Sequence, residues 1–222
     1  MTSYTDPRWK TSALVVIDMQ VDFAEGGASP IAGTAAVVPN VSRLTAAYRA
    51  AGLPIVHAVR LYVPGGSDVD PPRRAFIEAG GEVVAPGSAG SAVIAGIAAG
   101  GTDESTPVAV DAELVLSGRA QHLGPAEVVL FKPRWGAFYR TGLESWLRDR
   151  AVDTVVVAGC NLPNCPRATL FEASERDFRT VLAADAVSRA STERLADLEG
   201  IGVNVLPTAT LVEQARSDLA EV

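Results

Sequence analysis

Three polar residues with different chemistry each follow or interrupt an apolar part of the chain: an acid at Asp18, an amine at Lys132 and a thiol at Cys165. A positive ammonium group favours both the thiolate and the ionised carboxylate, and a carboxylate can accept the thiol proton as a general base. Backbone N–H groups in the turn before Cys165 would face the oxyanion of a tetrahedral intermediate. Together these groups are suited to attack on a carbonyl or nitrile-like carbon.

The sequence around Cys165 predicts a strand, a tight turn and a helix. The β-branched run from 155 to 157 stops at Gly159 and is typical of a buried parallel strand. Pro166 then opens a helical segment, which places Cys165 at the helix N-cap. Because a helix N-terminus favours an anion, we expect this thiol to lose its proton more easily than a free cysteine does. The alternative is that Cys165 is a small apolar residue packed under the helix.

Asp18 and Lys132 are predicted to stand at strand ends. The segment ALVVID, residues 13–18, predicts a buried strand that ends in Asp18, and EVVLF, residues 127–131, predicts another that ends directly before Lys132. Ligands of open parallel sheets bind outside the carboxyl ends of the strands, so we expect the three polar groups to share one edge. Alternatively, Asp18 only caps the next turn and Lys132 is a solvated loop lysine.

The predicted elements alternate along the chain as strand and helix. This order predicts a three-layer α/β/α fold with a mostly parallel sheet, formed by one domain over 1–222. Residues 62–111 follow no period and are expected to be an irregular insertion over one face. The other predicted elements are strands at 53–59, 180–184 and 203–206, helices at 37–51, 141–150, 191–198 and from 208, and short helical turns at 74–80 and 91–98.

Two local details follow from the same patterns. Thr141 and Glu144 have the spacing of a capping box at the start of the 141–150 helix. The run Pro71-Pro72-Arg73-Arg74 is expected to be a solvated, Pro-rich loop. Both interpretations rest on spacing alone.

Composition excludes several classes of function. The formal net charge of −7 and the pI near 4.9 argue against a nucleic-acid partner. No apolar run approaches the roughly 20 residues that span a membrane. The first residues lack the apolar core of a signal peptide, and two cysteines fit a reducing compartment, so we expect a cytoplasmic protein. His57 and His122 are too few for a His-rich zinc site, His57 is expected in the core, and no metal or other cofactor is predicted.

Three segments resemble the isochorismatase-like cysteine hydrolases, the group that includes nicotinamidases and N-carbamoylsarcosine amidases. The segments are ALVVIDMQVDF at the first strand, LFKPRWGAFYRTGLESWLR around Lys132, and VVVAGCNLPNCPRATLFEASERDF followed by DAVS around Cys165. The resemblance implies a Rossmann-like architecture and a catalytic triad of Asp18, Lys132 and Cys165. It also implies an oxyanion hole from the N–H groups of Asn161 and Cys165, a non-proline cis peptide at Cys160-Asn161, and a homo-oligomer, either dimer or tetramer.

The chain departs from this family pattern in two ways. Leu162 stands three residues before the cysteine, where the family often has threonine, and Pro166 follows the cysteine, where an aliphatic residue is common. The stretch VRLYVPGGSDVD after His57 contains no histidine, whereas nicotinamidases carry an Asp and His cluster for a metal. A metal-dependent nicotinamidase is therefore disfavoured, and Cys160 is predicted to be structural.

The sequence thus favours a metal-independent cysteine hydrolase that cleaves a C–N bond of a small amide, carbamoyl or ureido compound. Its expected partner is a small-molecule substrate. Phe23, Trp135 and Phe138 are next to the triad in sequence and are candidates for the pocket wall, although such aromatics often pack in the core. The alternatives are an enol-ether hydrolase of the isochorismatase type, which lacks the cysteine, and a catalytically idle binding domain of the same fold.

Overall fold

The computed structural model describes residues 4–66, 68–103 and 105–217. Within these residues it contains one seven-stranded sheet with the order β3-β4-β2-β1-β5-β6-β7. The strands are β1 Ser12–Ile17, β2 Ile55–Val59, β3 Gln121–His122, β4 Glu127–Phe131, β5 Thr154–Gly159, β6 Arg179–Val187 and β7 Asn204–Leu206. All neighbouring strands are parallel except β3 and β4, which are antiparallel.

Helices cover both faces of the sheet. They are α1 Thr34–Ala50, α2 Pro71–Glu78, α3 Ala112–Leu116, α4 Leu143–Arg148, α5 Cys165–Ser174, α6 Thr192–Glu199 and α7 Thr208–Ser217. Side chains of β1 alternate between the two layers: Leu14 joins the apolar cluster of α1 and α7, and Val15 joins that of α4, α5 and α6. The predicted three-layer α/β/α fold is confirmed. None of the described helices is both long and apolar enough to cross a membrane.

Strand β1 is the centre of the sheet, with β2 on one side and β5 on the other. The chain proceeds outward through β2 and β4, and then returns to the far side of β1 to form β5, β6 and β7. The order of the strands therefore reverses between β1 and β5, and a crevice forms at such a switch point. Asp18 follows β1 and Cys165 begins the helix after β5, so the fold itself brings the acid and the thiol to this crevice.

Gly159 allows the end of β5 to lie closely against β1. Its φ is +113°, and a Cβ atom at this position would lie 2.2 Å from the backbone oxygen of Ile17. Only glycine tolerates both conditions. The next residue, Cys160, donates its N–H to the same Ile17 oxygen at 2.8 Å, which fixes the turn toward Cys165 beside β1.

Two predicted helix starts are wrong by one or two residues. Cys165 is not the N-cap but the first residue of α5, whose N-cap is Asn164. Helix α4 begins at Leu143 with Gly142 as N-cap, so Thr141 forms no capping box. The Thr141 hydroxyl instead donates to the Ala137 oxygen at 2.6 Å and accepts from the Leu143 N–H at 3.2 Å, because the preceding chain turns tightly there.

The segment from 62 to 111 contains more structure than its sequence pattern indicates. Residues 71–74 are not a loop but the first turn of α2, since proline is well tolerated where a helix begins. Helical structure near 91–98 is limited to a 3-10 turn at Ala89–Ser91, and α3 and β3 are further elements that the periodicity did not predict. Val83, Val93 and Val108 from this segment join the same apolar cluster as α1.

Glu127, at the start of β4, is the centre of a polar cluster at the other end of the sheet. Its carboxylate accepts two hydrogen bonds from Arg49, at 2.8 and 2.9 Å, and one from the Ala99 N–H at 2.9 Å. His57 Nε2 lies 2.8 Å from the same carboxylate and is buried, so the predicted core position of His57 is confirmed. Burial raises the pKa of Glu127, but the hydrogen bonds from His57 and Arg49 outweigh it and lower the pKa to about 2.

Glu127→Gln should destabilise the fold at neutral pH by about 2 kcal/mol, because His57 and Arg49 lose their charged partner. The folded-state pKa of Glu127 is depressed, so its contribution is present above the unfolded-state pKa near 4.5 and is lost as the pH falls toward about 2. The difference in free energy of unfolding between wild type and variant should therefore shrink from pH 6 to pH 3 in urea titrations. The exposed Glu213→Gln is the matched control, and a difference that stays constant with pH would contradict the assignment.

Candidate active site

A buried ion pair between Lys132 and Asp18 lies at the carboxyl ends of β4 and β1. Lys132 Nζ is 2.8 Å from Asp18 Oδ2, and the two side chains are 0% and 5% exposed. Strand β2 separates β1 from β4 and holds both residues: the N–H of Asp18 donates to Ala58 O at 3.0 Å, and that of Lys132 donates to Val59 O at 2.9 Å. The ion pair thus crosses the end of β2.

Asp18 retains acceptor capacity within the site. Its second oxygen, Oδ1, is buried and has no hydrogen-bond donor among the described residues. Its backbone has a φ of 51°, in the left-handed region that non-glycine residues seldom adopt. Buried carboxylate oxygens are nearly always hydrogen-bonded, so an unpaired one beside a thiol is suited to accepting a proton or a substrate donor.

Cys165 faces the same small cavity as Asp18. The cavity has a volume of about 90 Å³, and its lining includes Asp18, Cys160, Asn161, Asn164 and Cys165. Cys165 is 9% exposed, whereas the Lys132 ammonium is wholly buried. The fold therefore brings the three predicted residues together, with the acid and the thiol on the cavity surface.

The thiol of Cys165 is harder to ionise than its position at a helix start predicts. Burial raises its pKa to about 12; the negative charge of Asp18 also raises it, and the ammonium of Lys132 offsets only part of this. The expectation of an easily ionised thiol is wrong, because desolvation outweighs the favourable charges. At neutral pH the resting residue is a neutral thiol that needs a base.

The turn between β5 and α5 presents backbone N–H groups beside the thiol. The peptide bond between Cys160 and Asn161 is cis. Leu162 N–H donates to Ser188 O at 2.9 Å, and Asn164 N–H donates to Asn161 O at 3.0 Å. Among the described residues, the N–H groups of Asn161 and Cys165 have no such acceptor, which leaves both available to a bound oxygen.

Cys160 lines the cavity but has a different environment from Cys165. The Thr34 hydroxyl donates to its sulfur at 3.3 Å, and the side chain is buried. Burial is the main cause that raises the pKa of Cys160 to about 11. This thiol is held by the α1 side of the sheet, and its structural role stays a prediction.

The three aromatic residues proposed for the pocket wall separate into two groups. Phe23 and Trp135 line the cavity. Phe138 does not: its ring packs against Phe178, with centroids 5.6 Å apart, in the apolar cluster of α4 and α5. The chain after Lys132 turns so that Phe138 packs under the helices. The closeness of Phe138 to Lys132 in sequence therefore did not place its ring in the pocket wall.

Seven of the residues that line the cavity were not predicted as site residues from the sequence. Four of them carry a charge or a phenol group: Arg60, Tyr62, Asp70 and Arg73. Arg60 follows β2 directly, so the strand-end rule that found Asp18 and Lys132 also applied to it. Asp70 and Arg73 lie in the segment without periodicity, where no pattern indicated a site.

Comparison with known proteins places this geometry in a family. An isochorismatase domain model matches residues 12–105 and 109–209. A protein of Arabidopsis thaliana named probable inactive nicotinamidase is 35% identical over 212 residues, which cover 93% of this chain and 95% of that protein. The ureidoacrylate amidohydrolase RutB of Methylobacterium radiotolerans is 31% identical over 198 residues, which cover 83% of this chain and 70% of that enzyme.

A solved structure supports the same relationship. N-carbamoylsarcosine amidase of Thermoplasma acidophilum superposes with a TM-score of 0.66 at 26% identity, covering 89% of this chain and 96% of that one. The resemblance inferred from three sequence segments is thereby confirmed over most of the chain. The chain belongs to the isochorismatase family of hydrolases.

Proposed function

We propose that this protein is a metal-independent cysteine amidohydrolase that cleaves a C–N bond of a small amide, carbamoyl or ureido compound. The observation that carries the proposal is the buried Lys132–Asp18 ion pair, at 2.8 Å, in the same site as the Cys165 thiol. The names of two similar proteins, a ureidoacrylate amidohydrolase and an N-carbamoylsarcosine amidase, support cleavage of this type of bond. A further expectation, assembly into a homo-oligomer, remains part of the proposal.

The first step forms the bond between sulfur and carbon. Because the resting thiol is neutral, Asp18 removes its proton as Sγ of Cys165 attacks the carbonyl carbon. The C=O electron pair moves to oxygen, and the free N–H groups of Asn161 and Cys165 donate to this oxyanion. Lys132 holds the Asp18 carboxylate in place for the proton transfer through their ion pair.

The second half of the reaction returns every group to its starting state. The C–N bond breaks, and protonated Asp18 gives its proton to the leaving nitrogen, so that ammonia or an amine departs and a thioester remains on Cys165. A water molecule then gives a proton to Asp18 while its oxygen attacks the thioester. The C–S bond breaks, and the sulfur takes the proton back from Asp18.

The size of the cavity limits the substrate. Its volume is about 90 Å³, and it is lined by Asp18 and Cys165 together with aromatic and charged side chains. This space suits a planar amide or ureido group of a few heavy atoms and excludes a folded polypeptide.

The two alternative functions, an enol-ether hydrolase and an idle binding domain, do not require a reactive thiol at Cys165. An enol-ether hydrolase of the isochorismatase type would not need the thiol. An idle binding domain agrees with the name of the Arabidopsis relative, but it gives no reason to keep Lys132 at 0% exposure beside Asp18. Burying two charges costs several kcal/mol, and such arrangements are concentrated at functional sites.

Cys165→Ala should abolish hydrolysis while leaving the fold intact, because only the sulfur can form the thioester. The assay is ammonia release from a panel of small amides, carbamoyl compounds and ureides, with circular dichroism to confirm folding. Cys160→Ala is the comparison variant and should keep turnover above background. Hydrolysis by Cys165→Ala at the wild-type rate would refute the nucleophile assignment, and no release from the whole panel by wild type would favour the idle domain.

Asp18→Asn should separate thiol ionisation from catalysis. Removing the carboxylate removes a negative charge that raises the Cys165 pKa, so alkylation by iodoacetamide at pH 8–9 should become faster. Ammonia release should nevertheless fall by at least about 100-fold, because the general base is lost. If the alkylation rate falls together with the rate of ammonia release, Asp18 does not raise the pKa of the Cys165 thiol.

Lys132→Met should slow both the alkylation of Cys165 and the release of ammonia from substrate. Its ammonium lowers the Cys165 pKa, and each unit by which the pKa rises reduces the thiolate fraction about tenfold at a fixed pH. The measurement is the alkylation rate of Cys165 against pH, assigned by peptide mapping to distinguish it from Cys160. Profiles that superimpose on wild type would show that Lys132 does not act on the thiol.

Activity should survive exhaustive dialysis against a chelator. Among the described residues, no group of three or more His, Cys, Asp or Glu side chains is arranged to hold a metal ion. Ammonia release before and after dialysis, and after adding zinc or manganese, tests this expectation. Loss of activity that the metal restores would contradict it.

A further inference from the structure

In the part of the chain that the structure describes, the ion pairs around the cavity leave one positively charged side chain without an acidic partner. Lys132 and Asp18 neutralise each other, and Arg60 forms a second buried ion pair with Asp70. Arg73 also lines the cavity, and within the described residues it forms no ion pair. The formal charges of these five side chains therefore sum to one positive unit, which Arg73 carries.

A network of buried contacts positions Arg73. Asp70 is the N-cap of α2, and its backbone oxygen accepts from the Arg73 N–H at 2.9 Å. Its carboxylate accepts from the Arg60 guanidinium and from the Tyr62 hydroxyl, the latter at 3.1 Å. Arg60 Nη1 also donates to Lys132 O at 3.0 Å. The start of α2 is therefore fixed to the backbone of a proposed triad residue.

The Arg73 side chain forms few contacts with polar groups of the protein. Its guanidinium donates one hydrogen bond, from Nη1 to Ser29 Oγ at 3.1 Å, and the residue is half-buried. A guanidinium has five N–H donors in a planar fork that matches a carboxylate. Arg60 is unsuited to the same task, because its guanidinium is already bound by Asp70 and by Lys132 O.

We propose that Arg73 binds a carboxylate of the substrate, so that the enzyme selects short anionic amides, carbamoyl acids or ureido acids over neutral ones. The inference rests on the proposed hydrolysis of a C–N bond and adds its substrate class. A substrate carboxylate beside Asp18 would be repelled, and the cation of Arg73 compensates for this. Arg73 and Cys165 line the same cavity, so the proposal applies to short substrates in which the carboxylate is a few bonds from the carbon that Cys165 attacks.

The neighbouring residue Arg74 provides a matched control. It has the same charge and lies one position further along α2, but it is exposed and does not line the cavity. Its Nη2 donates to Val69 O at 3.1 Å. Arg74→Gln therefore changes the net charge as Arg73→Gln does, without changing the cavity.

The first experiment compares two alkylating reagents of nearly equal size, the anion iodoacetate and the neutral iodoacetamide. Their rates with Cys165 are measured by peptide mapping, and the ratio is normalised to that of the neutral thiol β-mercaptoethanol. Wild type should favour iodoacetate by about tenfold, the effect of one hydrogen bond to a charged group. Arg73→Gln should lose this preference, Arg73→Lys should keep part of it, and Arg74→Gln should keep it. A normalised ratio near one in wild type, or equal loss in the two glutamine variants, would overturn the proposal.

The second experiment measures the preference on substrates, using 3-ureidopropionate and its methyl ester. Wild type should release ammonia from the acid with the lower KM, and Arg73→Gln should raise the KM for the acid about tenfold while kcat and the ester kinetics change little. Equal KM values for acid and ester in wild type would overturn the anion site and leave the hydrolase proposal standing. If neither ureide is hydrolysed but the iodoacetate preference depends on Arg73, the anion site stands and hydrolysis of ureido acids fails.

Discussion

The buried ion pair between Lys132 and Asp18 is the interaction on which the site depends. Two charges removed from water are costly unless their geometry is good, so the ends of β1 and β4 must keep a fixed relative position. The register through β2 provides this, because both residues donate their N–H groups to its carbonyl oxygens. The central sheet, apolar on both faces, therefore acts as a rigid frame for one polar contact at its edge.

Much of this frame could be predicted from the sequence. Apolar β-branched runs mark β1, β4 and β5, and the rule that parallel strands end at one edge brings Asp18 and Lys132 together without any knowledge of their contact. Proline and the helical period mark the start of α5 within one residue of its observed position. Each of these signals is local, and local signals determine which side chain stands at which strand end.

Properties that depend on three-dimensional surroundings could not be predicted in this way. The pKa of Cys165 is raised mainly by burial of the thiol, and the spacing of residues in the sequence contains no information on how deeply that thiol is buried. Phe138 follows the same strand as Trp135, but one ring packs in the core and the other is partly exposed at the cavity. Arg73 was missed because α2 is held in place by distant residues, Arg60 and Tyr62, instead of by its own periodicity.

The raised thiol pKa and the proposed chemistry are consistent because the same carboxylate has both effects. A negative Asp18 beside Cys165 makes a free thiolate unfavourable, yet its unpaired Oδ1 can also accept the proton, so ionisation and attack are expected to occur together. A substrate carboxylate would add a further negative charge to a cavity that Asp18 and Asp70 already line. Arg73, which carries the excess positive charge, lies on helix α2, outside the sheet. A substitution on α2 can therefore alter the substrate preference while the strands that hold the Asp18–Lys132 pair remain unchanged.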